Sequence, residues 1–359
     1  MNATDWSVDL DDTEGLLAAD REGLLRAAAL AGAQVRATAA ALEEGELDPL
    51  RADGPPRTVV WVAGRGNAET AGALLTAVLS GAASAPIVVV PEAPGWIGAL
   101  DVVVIAGDDP GDPTLVASAA TAVRRGARVA VVAPYEGPLR DATAGRCAAV
   151  APRVRVPDDF NLARYFAAGL ATLHMVDPRL QANLAELADI LDAEAYTNSA
   201  AHELFTNPAK LLADRMLDRQ IVFAGDNAAT LALARHGAAV MLRVAHRPVA
   251  AVCLADVLVA LRGGMNARGG SLFHDEQIDG PLPPRIHTVV LATDAERPVV
   301  NARIGGYDDI DVIHAGEVLD APAVEPGHSA ATGGRMEQQL ARLAVRLEMA
   351  AAYLKLVRG

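Results

Sequence analysis

Residue type and order suggest chemistry most directly at Gly64-Arg65-Gly66-Asn67. The β-branched run Thr58-Val59-Val60-Trp61-Val62 leads into this turn, and an Ala-rich run from Ala68 to Leu79 follows it. That order reads as strand, tight turn and helix. Two glycines let the backbone turn sharply and come close to a ligand. The first N–H groups of a helix have no intrahelical partner and favour an anion. Arg65, between the glycines, adds a positive charge. The plainer alternative is an ordinary strand–helix connection.

Other chemistry-bearing groups are weaker. His274, Asp275, Glu276 and Asp279 gather in a Gly-rich stretch. Their spacing fits no hard-cation site, and a solvated acidic loop accounts for them. His202-Glu203 looks like a metal-site fragment, but no second His follows at helical spacing, so a helix-surface pair is the plainer reading. His174 lies in a helical run and reads as a core or interface histidine. There is no Gly-x-Ser-x-Gly elbow and no evident Ser-His-Asp arrangement. The glycine turn lacks the third Gly and the later acidic residue of a dinucleotide fingerprint. No metal and no cofactor are expected.

The elements that position these groups come from a chain of 359 residues, long enough for one large or two medium domains. Apolar residues make up 52% but aromatics only 4%, so the core must be built from Ala, Val and Leu. A formal net charge of −14 argues against nucleic acid and anionic membrane as partners. Cys147 and Cys253 sit among Ala and Val and read as small buried hydrophobes. The start has neither a basic region nor an apolar run, and Pro248–Leu261 is too short to span a bilayer; a cytoplasmic protein is expected.

The hydrophobic pattern predicts a helical segment over Leu16–Glu43 and then an acidic, Gly/Pro-containing connection to Pro56. Strands are expected at 58–62, 87–90, 102–105 and 128–133, with helices at 68–79 and 114–125. Continuous Val/Ile runs alternating with helices indicate a parallel sheet covered on both faces, which holds ligands beyond the carboxyl ends of its strands. Two helices follow, 160–175 and 180–191. The pattern then restarts: helix 209–217, strand 220–224, helix 228–236 ending at Gly237, strand 240–244, helix 250–261, a Gly-rich loop 262–279, and strands 285–292 and 311–314. A long helix, 335–357, closes the chain. Phe223-Ala224-Gly225-Asp226-Asn227 loosely repeats the first glycine turn, which suggests an internal duplication.

Gly64-Arg65-Gly66-Asn67-Ala68, Asn207-Pro208-Ala209-Lys210 and the terminal Tyr353-Leu354-Lys355-Leu356-Val357-Arg358-Gly359 occur in an order and spacing that resembles SIS-domain proteins. The likeness is to the bifunctional phosphoglucose/phosphomannose isomerase type and its divergent actinobacterial, TobH-like relatives. The resemblance implies a fold of tandem SIS-type α/β sandwiches with helical N- and C-terminal additions. It divides the chain at 1–56, 57–155, 156–206, 207–332 and 333–359. It also implies a homodimer and a small-molecule sugar phosphate as ligand.

The family's phosphate loop Ser-x-Ser-Gly-x-Thr is here Ala106 to Thr114, with Asp108, Asp109 and Asp112 in place of hydroxyls. Two like charges about 4 Å apart cost about 4 kcal/mol at an effective dielectric of about 20, so Arg65 or a cation would have to compensate. Gly64, Arg65, Gly66, Asn67, Asp108, Thr114 and Arg297 are the expected substrate-binding residues, Arg297 standing where the family has a catalytic His. His274-Asp275-Glu276 is similar to the family's His-Asn-Glu, which implies Glu276 as the base and His274 near the ring oxygen. The expected activity is aldose–ketose isomerisation of a hexose 6-phosphate through an enediol. The alternative is a carbohydrate-derivative-binding sensor or partner subunit that has lost the chemistry.

Overall fold

The computed structural model describes residues 8–217, 219–266, 285–316 and 334–358. The chain forms two compact units: a first, Arg26–Tyr196, and a second made of Met1–Leu25 with Thr197–Gly359.

The expected helical lead-in is three helices, α1 (Thr13–Ala19), α2 (Leu24–Ala29) and α3 (Ala31–Glu43). The break after α1 has a local cause. The Asp20 carboxylate accepts from the N–H groups of Leu24 (2.7 Å) and Leu25 (3.0 Å), and Gly23 takes φ +69°. A side chain that satisfies the next helix start competes with continuation of the last one.

In the first unit follow β1 (Val59–Val62), α4 (Gly66–Leu79), β2 (Ile87–Val90), β3 (Val102–Ala106), α5 (Pro113–Arg124), β4 (Arg128–Val132), α6 (Gly137–Thr143), β5 (Ala148–Ala149), α7 (Leu162–Val176) and α8 (Leu184–Thr197). The strands pair in parallel in the order β2-β1-β3-β4-β5. Alternate residues serve opposite faces. Val60, Val62, Val103, Ile105 and Val131 pack with Leu115, Ala119 and Leu139 of α5 and α6. On the other face α4 and α7 close on Trp61. A Cβ on Gly72 would stand 2.5 Å from Trp61 Cδ1, and one on Gly169 would stand 2.1 Å from Leu75 Cδ1. These glycines let the two helices lie tight on a sheet with few aromatics.

The second unit adds α9 (Pro208–Met216), β6 (Gln220–Gly225), α10 (Ala228–Arg243), β7 (Ala250–Cys253), α11 (Leu254–Arg262), β8 (Ile286–Leu291), α12 (Arg297–Ile304), β9 (Ile310–Ile313) and α13 (Met336–Arg358). Its parallel order is β7-β6-β8-β9. Strand for strand this repeats β2-β1-β3-β4, so the expected duplication holds at the level of topology.

Three expectations are corrected. Gly237 does not end its helix: α10 runs on to Arg243 and absorbs the expected strand 240–244. A Cβ at Gly237 would stand 3.2 Å from both Leu347 Cδ1 and the Phe223 ring, so this glycine marks close packing rather than a stop. The expected helix 250–261 is a strand and a helix joined at Cys253-Leu254; Ala250–Cys253 pairs with β6. The short helices α6 and α12 lie where no element was expected.

Most residues of helix α13, including Leu343, Arg346, Leu347 and Leu354, are buried, and it packs against α9, α10 and α1 of its own unit. Among the described residues no helix is long and apolar enough to cross a membrane.

Candidate functional site

Each sheet reverses its strand order at one place, between β1 and β3 and between β6 and β8, the kind of place where a parallel sheet has its ligand crevice beyond the strands' carboxyl ends. The residues expected to bind substrate divide between these two places.

In the first unit, Gly66 takes φ +66° and Arg65 stands extended as the N-cap of α4, with no side-chain cap bond. Asn67 is buried. Its Nδ2 donates to Asn161 Oδ1 (2.9 Å) and to the carbonyls of Asp158 (2.9 Å) and Asp159 (3.2 Å), so the amide fastens the turn before α7. Asp112 caps α5: its Oδ1 accepts from Thr114 N (2.8 Å) and Leu115 N (3.3 Å), and its Oδ2 accepts from Arg65 Nη2 (2.9 Å). The start of α5, where the family's phosphate loop ends, therefore holds the chain's own carboxylate. Thr114 contributes its backbone N–H to that cap.

Asp108 goes further. Its Oδ1 accepts from Asn161 Nδ2 (2.7 Å), from Arg164 Nη2 (3.1 Å) and from the Tyr165 hydroxyl. Burial raises the Asp108 carboxyl above the ordinary carboxylate range, and the Tyr165 hydroxyl pulls the other way. Burial also pushes the Tyr165 phenol up, so it serves as a donor. Arg164 is buried and stacks over the Tyr165 ring with its guanidinium carbon 4.1 Å from the centroid. An anion and three donors, one of them a stacked cation, thus form one cluster, with Asp108 as the anion. Asn161, Arg164 and Tyr165 carry no sequence signal of this role; Asn161 precedes α7 and the other two lie on it, 53 to 57 positions from Asp108.

In the second unit the turn after β6 is built differently. A Cβ on Gly225 would fall 2.3 Å from Leu231 N and from the Thr230 carbonyl carbon, so helix α10 starts directly against the strand end. Asn227 caps α10 in a reciprocal box with Thr230, and Asp226 pairs with Arg303. Beyond β8, Glu296 Oε2 accepts from Thr293 N (3.0 Å) and Thr293 Oγ1 (2.6 Å). Arg297, exposed at the start of α12, has Nη1 3.1 Å from His314 Nε2, and His314 Nδ1 lies 3.1 Å from Asp294 Oδ1. Of these residues only Arg297 was expected. His314 and Asp294 each lie just past a strand, and their contact depends on a strand pairing that the sequence does not state.

His274 and Glu276 lie outside the described residues. The His202 carbonyl, with that of Ala200, receives Lys210 Nζ at 2.7 and 3.0 Å; burial lowers the Lys210 ammonium below its usual value. His174 Nδ1 meets the Leu180 carbonyl at 3.0 Å. Among the described residues no group of three or more His, Cys, Asp or Glu is placed to hold a metal ion.

No family model matches the chain, and no curated protein matches it. Solved structures do. A glucose-6-phosphate isomerase like protein from Thermus thermophilus is 20% identical with a TM-score of 0.52, over 98% of this chain and 96% of that one. A protein from Clostridium difficile 630, inferred to be a phosphosugar isomerase, is 12% identical with a TM-score of 0.60, over 93% of each chain. The C-terminal domain of glucosamine-fructose-6-phosphate aminotransferase from Francisella tularensis is 11% identical with a TM-score of 0.54, over 91% and 95%. The fold is accordingly the tandem SIS-type α/β architecture, two parallel sheets each flanked by helices, that these solved structures share.

Proposed function

We propose that this chain binds a hexose phosphate and interconverts its aldose and ketose forms, glucose or mannose 6-phosphate with fructose 6-phosphate, through an enediol. The observation that carries the reading is the architecture: it is shared from end to end with proteins whose names place them on phosphosugars. Glu276 is the proposed carbon base, with His274 near the ring oxygen, and the narrower phosphoglucose/phosphomannose, TobH-like affinity belongs to the same proposal. So do the expected domain limits, a cytoplasmic location and a homodimer. Gly64, Arg65, Gly66 and Arg297 remain proposed ligand contacts; Asn67, Asp108 and Thr114 would contribute by shaping the turn and the cap.

A second reading is favoured by one specific observation. In the first crevice Asp108 and Asp112 already occupy the donors that an oxyanion would use. A chain so built could keep the fold and bind a sugar derivative as a sensor or partner subunit without turning it over. The test is a coupled assay of the purified chain with each of the three hexose phosphates, run beside thermal melts in their presence. Specific binding raises the melting temperature by mass action. Turnover supports isomerisation. Stabilisation without turnover supports the sensor. Neither effect with any phosphosugar rejects both.

A further inference from the structure

We propose that Asp294, His314 and Arg297 form a proton-transfer site at the carboxyl end of the second sheet, acting on the oxygen-bound proton of an anionic sugar derivative. The substrate class rests on the reading above; the dyad itself rests on geometry.

Strands β8 and β9 run parallel with Leu291 beside Ile313. Their carboxyl ends therefore emerge together, and the next residues bring Asp294 and His314 within 3.1 Å. Both are pinned from α13. Buried Arg346 donates from Nη1 to the His314 carbonyl at 3.0 Å, and Gln339 Oε1 accepts from the Asp294 N–H at 2.9 Å. A constellation on two strand ends braced by one helix is held more closely than one on free loops.

Two contacts assign the imidazole's tautomer. A guanidinium nitrogen has donors and no acceptor. Against Arg297 Nη1, His314 Nε2 must accept, which leaves Nδ1–H to donate to Asp294. A neutral imidazole held by a carboxylate, with its other nitrogen presenting a lone pair, is the arrangement of a general base and its positioning residue. Here the lone pair is covered by an exposed arginine. A bond from a guanidinium to a neutral imidazole is a weak tie, whereas paired bonds to a phosphate or carboxylate are about twice as strong each. An oxyanion arriving at Arg297 thus draws the guanidinium away from Nε2.

Isomerisation requires two proton transfers, one between adjacent carbons and one between their oxygens. The first falls to Glu276 in the reading above. For the second, His314 Nε2 takes the proton of the hydroxyl on the carbon that becomes the carbonyl. The O–H bond breaks and its electron pair stays on oxygen as the C=O bond forms. The same proton passes from Nε2 to the neighbouring oxygen, which becomes the hydroxyl. No oxidant or reductant enters. Asp294 holds Nδ1–H throughout and stabilises the transient imidazolium.

Nitrogen-15 NMR of the imidazoles in the intact chain, with His314 assigned by its loss in His314→Gln, should give the Nδ1–H form. An Nε2–H form overturns the proposal. Carbethoxylation of His314 by diethylpyrocarbonate, followed by mass spectrometry, should quicken severalfold in Arg297→Ala; an unchanged rate overturns the covering role. With fructose 6-phosphate, His314→Gln should lower kcat about a hundredfold with KM little changed. Asp294→Asn should lower kcat and shift the tautomer as well. Full kcat in His314→Gln overturns the catalytic role and leaves the isomerase reading standing. If the wild type turns over no hexose phosphate, the substrate reading fails, and the tautomer and the Arg297→Ala result decide the dyad alone.

Discussion

The two crevices begin from the same topology and end in opposite electrostatic states. In the first, acidic side chains face inward and are consumed: Asp108 by Asn161, Arg164 and Tyr165, and Asp112 by the start of α5 and by Arg65. In the second, the turn after β6 closes on itself, while the ends of β8 and β9 present an imidazole and an exposed guanidinium. A duplicated fold supplies two places where charge can be received. Which place receives it is decided by side chains that follow the strands, not by the glycine turns that look most alike in sequence.

The largest effect should come from those turns. Gly64→Ala puts a Cβ no closer than 3.7 Å to Pro91, at a φ that other residues adopt. Gly225→Ala puts one 2.3 Å from the backbone of Thr230 and Leu231, which cannot swing aside. We expect Gly225→Ala to cost about 3 kcal/mol or more, by analogy with severe overpacking, and Gly64→Ala to stay within about 0.5 kcal/mol. Urea melts of the two variants measure the contrast. Equal midpoints would mean the two turns are built alike.

The next effect isolates the inward-facing carboxylate. Asp108→Ala leaves buried Arg164 and its neighbours Asn161 and Tyr165 without their shared acceptor. Leaving such donors unsatisfied costs about 2–3 kcal/mol, or a fall of roughly 5–10 °C in the melting temperature of a unit this size. If Asp108 holds the place of an anion, inorganic phosphate at millimolar concentration should restore part of that loss in Asp108→Ala and do little for the wild type. A variant as stable as the wild type would show that Asp108 is not the centre of the cluster.

How far the sequence reveals this depends on how local the cause is. β1, β3, β4, β6 and β8 stand within a residue or two of their expected places, because a Val/Ile run between turn residues needs no distant information. The region 237–261 does not. Gly237 resembles a helix stop, and Ala250-Ala251-Val252-Cys253 resembles the start of a helix. Close packing against Phe223 and Leu347 and pairing with β6 decide otherwise. The site divides in the same way. The glycine turn and Arg297 are legible as local patterns. The contacts that fix their neighbours, Asp108 with Arg164 and Tyr165, and Asp294 with His314, join residues between 20 and 57 positions apart.

A pH series separates the units by sign. Asp108 has its carboxyl raised by burial, so its favourable contribution is fully present below the ordinary carboxylate range and is lost as pH rises through the raised value. Asp311 of the second unit is lowered, chiefly by its hydrogen bond with His287 (3.0 Å). Its contribution is present above the ordinary range and is lost as pH falls through the lowered value. In Asp108→Asn the loss of stability as pH rises above the ordinary carboxylate range should shrink. In Asp311→Asn the loss on acidification below about pH 4 should shrink instead. Identical pH profiles for both variants would remove the distinction.

A small effect on stability, with a distinct one on binding, should come from Arg65. Its guanidinium pairs with Asp112 at 2.9 Å, but the Arg65 side chain is 75% exposed. An exposed pair of this kind contributes about 0–1 kcal/mol, and the Asp112 cap on Thr114 and Leu115 does not need it. Arg65→Ala should therefore leave the melting temperature within about 4 °C of the wild type. Binding distinguishes what stability cannot. If the first crevice receives the phosphate of a sugar, Arg65 must leave Asp112 to meet it, and Arg65→Ala should weaken binding of a hexose phosphate about tenfold, as loss of one charge-assisted contact of about 1.4 kcal/mol implies. If the anion is taken instead at the second sheet, Arg65→Ala binds as the wild type does and Arg297→Ala carries the loss. Calorimetry of the two variants with one hexose phosphate assigns the anion to one crevice or the other, because the two arginines lie in different units.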